Sequence, residues 1–414
     1  MRATAGWIVF AIALFATTLA VVSPQEGRRA VPPNKGPGES AVLAGSELEL
    51  IHFLPTRYVT DGSVDYTAHV QRALDSARGR TLRLAPFPVL VSPPPRSNHC
   101  LVVRDSTHIV GGPACVLRTD VPAVQLLRIE STTGILLDGF SVQGVGGIGR
   151  NLAHGLIQVW NCENVELRGV RVSDADADAI AIANSSDVRV LGCSIDRGSK
   201  AGIYITACKS AVVDGNVVRD TVGHLAPPLK KVGAGILLLS NIDTVCSNNV
   251  VERGVGAGIV CGSNDQQREP EGVLITGNRV VGVQNAENPA TSGGIVLANS
   301  QPNKRTHVVV ASNSISACGQ YAILVENHDG ALVQGNAIRG SLASAIVVGH
   351  SRGVCVLDNV LTDINSELRN GQAGVYLHSH TSECLVRGTV MLDFERRGWP
   401  ALIDRAPAGL NRVE

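Results

Sequence analysis

The stretch from Asp174 to Ile182, DADADAIAI, places three carboxylates at alternate positions and then becomes apolar. In one continuous strand, side chains alternate between two faces, so the aspartates would share a face with Ile180 and Ile182. A buried isoleucine face cannot hold three unpaired carboxylates, because desolvating each one costs several kcal/mol. We therefore expect the chain to turn between Asp178 and Ile180, next to a catalytic carboxylate site, a calcium site or a plain corner.

His154 and Lys200 are the nearest groups that could complete an acid–base site. A carboxylate beside an imidazole raises the histidine pKa and gives a proton-transfer pair. In the catalytic hypothesis, Asp178 is the general acid or base, His154 is its partner and Lys200 neutralises a substrate anion, with Asp174 and Asp176 on adjoining turns. The structural alternative has the aspartates capping turn amides beside a solvated histidine.

A second group of ionisable residues lies near the C-terminus and contains four of the eleven histidines. Its members are Glu326, His328, His350, His378 and His380. Imidazole and carboxylate suit zinc or similar ions, so Glu326, His350 and His378 are candidate metal ligands. The alternative is a set of exposed polar turn residues without a ligand.

Composition and charge limit the function classes. The 414 residues are 44% hydrophobic but only 3% aromatic, and 36 basic residues balance 36 acidic ones. This balance gives no electrostatic reason to expect a nucleic-acid partner. Ten cysteines occur without a CxxC motif; a Cys100–Cys115 disulfide is the one pairing considered, and the others suit buried small hydrophobes.

The N-terminal residues predict export. Residues 1–22 hold one early arginine and then a mostly apolar run, which is typical of a signal peptide or an N-terminal membrane anchor. Residues 23–50 are rich in Pro, Gly and charge and predict a linker. We therefore expect a periplasmic, extracellular or membrane-anchored protein.

Two motifs alternate along most of the chain and predict its architecture. One is a strand that ends in a small residue or asparagine, as in AVVDGNVV and VLITGNRV; the other is a Gly or Ala before alternating apolar residues, as in GIYI and GILL. The recurring asparagines are Asn216, Asn249, Asn278, Asn313, Asn336 and Asn359, with a shortest spacing of 23 residues. Asparagine tolerates the left-handed backbone of a tight turn, and stacked amides can bond along an axis.

A 23-residue repeat of short strands without helical periodicity predicts a single-stranded parallel β-helix of about ten coils. We assign residues 134–394 to this solenoid, 51–133 to an N-terminal cap and first coil, and 395–414 to a C-terminal tail. In the cap, Asp65 is the expected helix N-cap, and Val70, Leu74 and Ala77 form an apolar stripe.

The stretch YVTDGSVDYTAHVQRALDSARGRTLRLAPFPVLVS resembles the N-terminal cap of the pectate-lyase-like superfamily of right-handed parallel β-helix proteins. The segments LAHGLI, ADADAI and SKAGIY are similar to the acid-bearing motifs of the polygalacturonase group within it. Only Asp178 matches that pattern, because His154 and Ala201 stand at the other two positions. The resemblance implies action on, or binding of, polysaccharide.

Insertions flank the Gly-Ile strands, so we expect their sheet to form the floor of a binding groove. The predicted outward residues are mostly aliphatic: Ile157, Ala181, Tyr204, Leu237, Val260, Val296, Leu324, Val347 and Tyr376. Tyr204 and Tyr376, with Asp174, are the predicted substrate-binding residues. An exposed aliphatic stripe would be sticky, so we expect inserted loops, the C-terminal tail or a partner chain to cover it. Two function classes stay open: a polysaccharide lyase or glycoside hydrolase, and a non-catalytic binding or scaffolding solenoid.

Overall fold

The computed structural model describes residues 47–147, 154–225, 231–263, 269–285, 292–300, 306–364, 371–392 and 400–414. Within these residues, short strands pair in parallel with strands one coil away and build three long sheets. The chain visits sheets 1, 2 and 3 in turn, once per coil. The predicted all-β parallel β-helix is confirmed.

The strands of sheet 1 are Leu48–Glu49, Thr81–Arg83, His108–Val110, Thr133–Asp138, Glu163–Arg168, Ser186–Leu191, Lys209–Asp214, Ile242–Ser247, Glu271–Thr276, Val308–Ala311, Leu332–Gln334, Cys355–Leu357, Leu385–Arg387 and Arg412–Val413. The short strands of sheet 2 are Pro88–Leu90, Val116–Arg118, Ser141–Gln143, Arg171–Ser173, Ser194–Asp196, Val217–Arg219, Val250–Glu252, Arg279–Val281, Ser314–Ser316, Ala337–Arg339, Val360–Thr362 and Val390–Met391. Sheet 3 contains the Gly-Ile strands and consists of His99–Val103, Gln125–Glu130, Gly155–Trp160, Asp178–Ala183, Ala201–Thr206, Ala234–Leu239, Ala257–Gly262, Gly293–Ala298, Tyr321–Glu326, Ile346–Gly349, Val375–Leu377 and Leu402–Asp404.

The coils continue past the predicted C-terminal bound: strands Leu402–Asp404 and Arg412–Val413 extend sheets 3 and 1 past residue 394. This last coil lacks the asparagine column, so the repeat did not reveal it. At the N-terminal end, strands Thr81–Arg83 and His108–Val110 of sheet 1 lie within residues 51–133, the segment assigned to the cap and first coil. Residues 1–46, which hold the predicted signal or anchor segment, lie outside the described residues. No helix in the part of the chain that the structure describes is long and apolar enough to cross a membrane.

The helix Thr67–Ser76 covers the N-terminal end of the solenoid, next to the 3-10 helix Leu50–Phe53. Its predicted apolar stripe is confirmed, since the side chains of Val70, Leu74 and Ala77 are buried. Asp65 lies one position earlier than expected: Tyr66 occupies the N-cap position, and Asp65 Oδ1 accepts the Thr67 N–H at 2.8 Å.

Gln71 of this helix bonds to the first strand of sheet 3. Its Oε1 accepts the Val102 N–H at 2.8 Å, and its Nε2 donates to the Val102 carbonyl at 3.0 Å. Val102 lies in the edge strand His99–Val103, whose outer backbone groups have no further strand to pair with in the described sheet. The helix thus satisfies part of the open edge that a solenoid leaves at its end.

The asparagine column is buried and forms a continuous ladder. Asn278 shows the pattern: its Oδ1 accepts both the backbone N–H and the Nδ2–H of Asn249, and its own Nδ2 donates to Asn313 Oδ1 and to the Cys246 carbonyl, all at 2.9–3.0 Å. The predicted bonding along the axis is confirmed. The predicted left-handed backbone is wrong, because positive φ belongs to the preceding residue, such as Gly277 with φ 65°.

Apolar side chains from all three sheets fill the interior. Small side chains and cysteines occupy tight positions there, and nine of the ten cysteines are buried. Every cysteine is free, so the considered Cys100–Cys115 disulfide does not form. Cys115 instead lies within 3.6 Å of the Leu84 carbonyl as a packed, weakly donating thiol.

Candidate functional site

The strand Asp178–Ala183 breaks the strict alternation of side chains near its start. Ala179 and Ile180 both pack in the interior core, whereas Ala181 packs on the outward side of sheet 3. Asp178 therefore does not share a face with Ile180. The predicted turn between these two residues is wrong, because both belong to the strand Asp178–Ala183; the break in alternation within that strand directs the carboxylate to the outward side of the sheet.

His154 lies one residue away from the position predicted for it. Gly155, not His154, pairs with Asp178 across the coils. The prediction treated Gly155 as the counterpart of Gly202, but Leu156 occupies that inward position in this coil. His154 precedes the strand, and its backbone carbonyl accepts the N–H of Asp178 at 3.4 Å.

The same shift corrects the outward column of sheet 3. Ile157 is fully buried in the interior core, and Gln158 takes its place opposite Ala181. The Oε1 of Gln158 accepts the Gly155 N–H at 2.9 Å, so this amide is held against its own strand. The column therefore begins with a polar residue at this coil rather than an aliphatic one.

The three carboxylates of the DADADA stretch point to different partners. Both oxygens of Asp174 accept from Arg197, at 2.7 and 3.1 Å, in a half-exposed pair beside sheet 2. Asp176 accepts the backbone N–H of Ala123, two coils away. The carboxylates therefore do not converge as a calcium site requires, and no group of three or more His, Cys, Asp or Glu among the described residues could hold a metal ion.

Asp178 and Lys200 form a buried ion pair. The Nζ of Lys200 lies 3.7 Å from Oδ2 of Asp178, and each side chain is only 1% exposed. Neither carboxylate oxygen has a hydrogen-bond partner of normal geometry in the described part of the chain. Burial raises the pKa of the Asp178 carboxyl to about 6, although the ammonium of Lys200 opposes the rise. A buried pair with so few hydrogen bonds is a poor source of stability, which makes it a candidate for function.

Tyr204 covers the pair from the next position along the outward face. The Nζ of Lys200 lies 5.3 Å from the centroid of the tyrosine ring, a cation–π distance. Tyr204 points outward as predicted but is only 4% exposed, and burial raises the pKa of its phenol. In this conformation its ring contacts the ammonium of Lys200 rather than solvent.

Two histidines lie near the ammonium of Lys200. Burial lowers the pKa of His154, and the charge of Lys200 lowers it further against the opposing effect of Asp176. Burial and Lys200 also lower the pKa of His224 to about 4. Both imidazoles are therefore neutral at pH 7, and Nε2 of His154 has no hydrogen-bond partner among the residues that the structure describes.

His224 was not singled out by sequence reasoning. It lies in a long insertion that folds back as an antiparallel ribbon of strands His224–Leu225 and Lys231–Val232. Its sequence signal is weak, because a lone histidine inside a Pro- and Lys-containing insertion is usually a surface residue. The ribbon brings it to the site, where its side chain is only 1% exposed.

The groove floor predicted to be sticky is covered. Its outward residues form a second apolar cluster, separate from the interior core, in which Val232 of the insertion also packs. Leu237 is fully buried, and Val296 is only 7% exposed. Tyr321 and Tyr376 lie at the rim of this cluster and keep part of their surface exposed. The expectation that an inserted loop covers the stripe agrees with the position of Val232.

The C-terminal ionisable residues divide into separate groups. His350 Nδ1 lies 2.7 Å from Glu326 Oε1, and the ring of His380 stacks on His350 with centroids 4.8 Å apart. His378 instead makes an edge contact with Tyr376, at 5.0 Å between centroids. The predicted metal set of Glu326, His350 and His378 does not converge on one point.

His328 belongs to a different part of the coil. It is fully buried, its Nδ1 lies 2.8 Å from Oγ1 of Thr306, and its backbone N–H donates to Ser351. Burial lowers its pKa to about 3. It is a structural core residue, away from the outward Glu326–His350 pair.

The comparisons with known proteins agree with this architecture. The family model for the right-handed β-helix region matches residues 128–304. None of the curated protein sequences compared with the chain matches it significantly. Several solved structures are similar to the chain. Three of them are described below: two enzymes and one surface adhesin.

The chain resembles the catalytic unit of the thermostable GH87 α-1,3-glucanase of Streptomyces thermodiastaticus, at 14% identity and a TM-score of 0.67, covering 90% of this chain and 69% of that one. It also resembles the exopolygalacturonase of Thermotoga maritima, at 12% identity and a TM-score of 0.60, covering 94% and 96%. The third is PfbA, a surface adhesin of Streptococcus pneumoniae, at 15% identity and a TM-score of 0.50, covering 77% and 91%. Such identities show the fold alone: the chain is a right-handed parallel β-helix protein.

Proposed function

We propose that this protein cleaves a polysaccharide at the outward face of sheet 3, with Asp178 as the proton donor. The observation that carries the proposal is the buried Asp178–Lys200 pair, whose carboxylate has no hydrogen bond of normal geometry. Such a pair is a poor source of stability, because apolar residues of similar volume often fill the same space at equal or lower cost. Strongly perturbed ionisable groups cluster at functional sites.

The protonation states suit cleavage of a glycosidic bond. A carboxyl with a pKa of about 6 keeps a useful protonated fraction near neutral pH and can protonate the leaving oxygen. His154 is neutral and can accept a proton, either from water in a hydrolase or from a C–H beside a carboxylate in a lyase. When Asp178 is protonated, the charge of Lys200 is available to a substrate anion.

The fold supports a carbohydrate ligand. The glucanase and the exopolygalacturonase share this architecture, and their names refer to action on polysaccharides. The tailspike of the E. coli bacteriophage HK620, similar at 13% identity over 83% of this chain, is described in complex with a pentasaccharide. We further propose that the protein is exported, in agreement with the apolar N-terminal segment.

The second candidate is a non-catalytic solenoid that binds a glycan or a partner at the cell surface. The observation that favours it is the enclosure of the site, since Asp178 and Lys200 are each only 1% exposed and the outward face of sheet 3 is apolar. Similarity to the adhesin shows that the same fold also occurs in a protein named for attachment.

The test compares the full chain with the Asp178→Asn variant on neutral and uronic-acid polysaccharides. Reducing ends and unsaturated uronate are followed together, with and without added divalent metal. Asp174→Asn is the matched control: this carboxylate of the same stretch was predicted to bind substrate, but in the structure both its oxygens pair with Arg197 beside sheet 2. Cleavage that is lost only in Asp178→Asn supports the enzyme; absence of cleavage by the folded wild type supports the binding solenoid.

A further inference from the structure

The outward face of sheet 3 carries a second polar site near the C-terminal end. Glu326 ends the strand Tyr321–Glu326, and Gly349 is its partner in the next strand. His378 follows the strand Val375–Leu377 and continues the same column, since its N–H donates to Val348 at 2.9 Å. Along the solenoid axis, the Glu326 carboxylate, the side-chain-free position of Gly349 and the His378 imidazole therefore follow one another.

Gly349 supplies the gap that Glu326 fills. A Cβ at position 349 would lie 2.1 Å from Glu326 Oε2, so any larger residue would displace this carboxylate. The φ of Gly349 is not in the left-handed region, so its backbone does not demand glycine. Residue 349 must be small because Glu326 Oε2 occupies the space that a side chain at this position would fill.

Glu326 and His350 form an oriented acid–imidazole pair. Oε1 of the carboxylate lies 2.7 Å from His350 Nδ1, and the glutamate side chain is 5% exposed whereas that of the histidine is 38% exposed. Burial raises the pKa of Glu326, and the nearby His350 opposes the rise. Because Nδ1 is engaged, the accessible edge of the ring presents Nε2 to a ligand.

Ring surfaces flank this pair on the next coil. His380 is exposed and stacks on His350 with an interplanar angle of 15°. Tyr376 and His378 are half-buried and meet edge to face at 66°. Flat faces beside hydrogen-bonding groups fit a pyranose ring, whose C–H face packs on an aromatic ring while its hydroxyls reach polar side chains.

We propose that Glu326, His350, Tyr376 and His380 form a second carbohydrate-binding site, which takes a neutral, hydroxyl-bearing pyranose unit. The carboxylate of Glu326 accepts hydrogen bonds from hydroxyls, His350 Nε2 contacts a further hydroxyl, and Tyr376 and His380 supply the stacking faces. The negative charge of Glu326 disfavours a sugar carboxylate at this position.

The site is distinct from the Asp178 site. Five strand-to-strand steps separate Asp178–Ala183 from Tyr321–Glu326 in sheet 3, which corresponds to about 24 Å at ~4.8 Å per step. Binding at the second site does not require cleavage at the first, so this inference stands if the protein proves to be non-catalytic.

The test measures binding of neutral and uronic-acid hexasaccharides to the full chain by calorimetry. Wild type, Tyr376→Ala, His380→Ala and Glu326→Gln are compared with the control His307→Ala, which alters an exposed histidine just before the sheet 1 strand Val308–Ala311. We expect a neutral hexasaccharide to bind, and each of the first three variants to weaken it by about tenfold, the size of one aromatic or hydrogen-bond contact. The His307→Ala control should bind as wild type does.

His380 is exposed, so His380→Ala keeps the inference testable if the buried glutamate variant fails to fold. Asp178→Asn separates the two proposals: it should abolish cleavage but retain hexasaccharide binding. The inference is overturned if the folded wild type binds no neutral hexasaccharide, or if Tyr376→Ala and His380→Ala bind as tightly as wild type. Binding lost in Asp178→Asn but kept in Tyr376→Ala would place the ligand at the first site and overturn it equally.

Discussion

Lys200 reaches over the start of the strand Asp178–Ala183 and places its Nζ 3.7 Å from Asp178 Oδ2, with both side chains enclosed. This pairing connects two neighbouring coils at the point where the chain enters the outward face of sheet 3. It holds opposite charges in a dry environment, and within the described residues the Asp178 carboxylate lacks the hydrogen bonds that usually stabilise such a charge. The pair therefore adds little to stability, whereas the proposed function requires its ionisable groups.

Replacing Lys200 by methionine should lower the free energy of unfolding by about 3–5 kcal/mol near pH 8, because the ionised Asp178 loses the ammonium that pairs with it. The pKa of Asp178 is raised above its unfolded value, so the stability that it contributes is present at low pH and is lost as pH rises through the folded pKa of about 6. The deficit of Lys200→Met should therefore shrink toward pH 5. Urea unfolding at both pH values measures this.

The control for that experiment is Arg253→Met, which breaks the exposed Arg253–Asp220 pair at 2.8 Å. Water and salt screen an exposed pair of this kind, so its loss should change stability little. The double variant Asp178→Asn/Lys200→Met should recover most of the stability lost in Lys200→Met. An equal loss in Lys200→Met and Arg253→Met would contradict the buried-pair interpretation.

Replacing Asn278 by alanine should destabilise the solenoid by roughly 2–5 kcal/mol. The Asn249 N–H loses its acceptor and the Cys246 carbonyl loses its donor, and each buried unpaired group costs about 1–3 kcal/mol. Thermal or urea unfolding followed by circular dichroism measures the loss. Gln284→Ala removes an exposed amide on the neighbouring turn and should change stability by less than about 0.5 kcal/mol.

Replacing His328 by glutamine should make the protein less sensitive to acid. Its folded pKa of about 3 lies below the ordinary value of 6.5, so wild type loses stability as pH falls from 6.5 toward 3, when the unfolded chain binds the proton first. Between pH 7 and pH 4, wild type should lose about 3 kcal/mol more than the variant does. A pH series of urea unfolding measures the difference, and parallel curves for the two proteins would refute the assignment.

Replacing Gly349 by alanine should disturb the second site without removing any of its functional groups. The added Cβ displaces the Glu326 carboxylate, which should weaken binding of a neutral hexasaccharide by about tenfold. Gly112→Ala is the matched control, since nothing lies within 4 Å of a Cβ built there. Unchanged binding in Gly349→Ala would show that the Glu326–His350 contact is not part of a ligand site.

The repeat in the sequence predicted the coils because each coil repeats the same physical requirement. Asparagine recurs where each coil needs an amide ladder, and small residues recur where each coil needs a tight turn before the Gly-Ile strand. The hydrogen bonds of Asn278 are an example of the ladder. The coil past residue 394 was not predicted because it lacks these residues. The capping helix was predicted from the apolar stripe of Val70, Leu74 and Ala77.

The site was predicted less completely, and the reasons are local. One misplaced glycine shifted His154 and Ile157 by one position, because Leu156 fills an inward site that holds alanine or glycine in the next two coils. The pairing of Asp178 with Lys200 depends on side-chain direction, which no spacing reveals. His224 reaches the site on an insertion whose path has no periodic signal.

The most direct test of the account is polysaccharide cleavage by the full chain and its Asp178→Asn variant, measured with the Asp174→Asn control. The account predicts cleavage by wild type and Asp174→Asn and a loss of at least about a hundredfold in Asp178→Asn, the usual contribution of a general acid. The released product, with or without an unsaturated uronate, distinguishes a lyase from a hydrolase. Equal cleavage by Asp178→Asn and wild type would contradict the assignment of Asp178 as the proton donor.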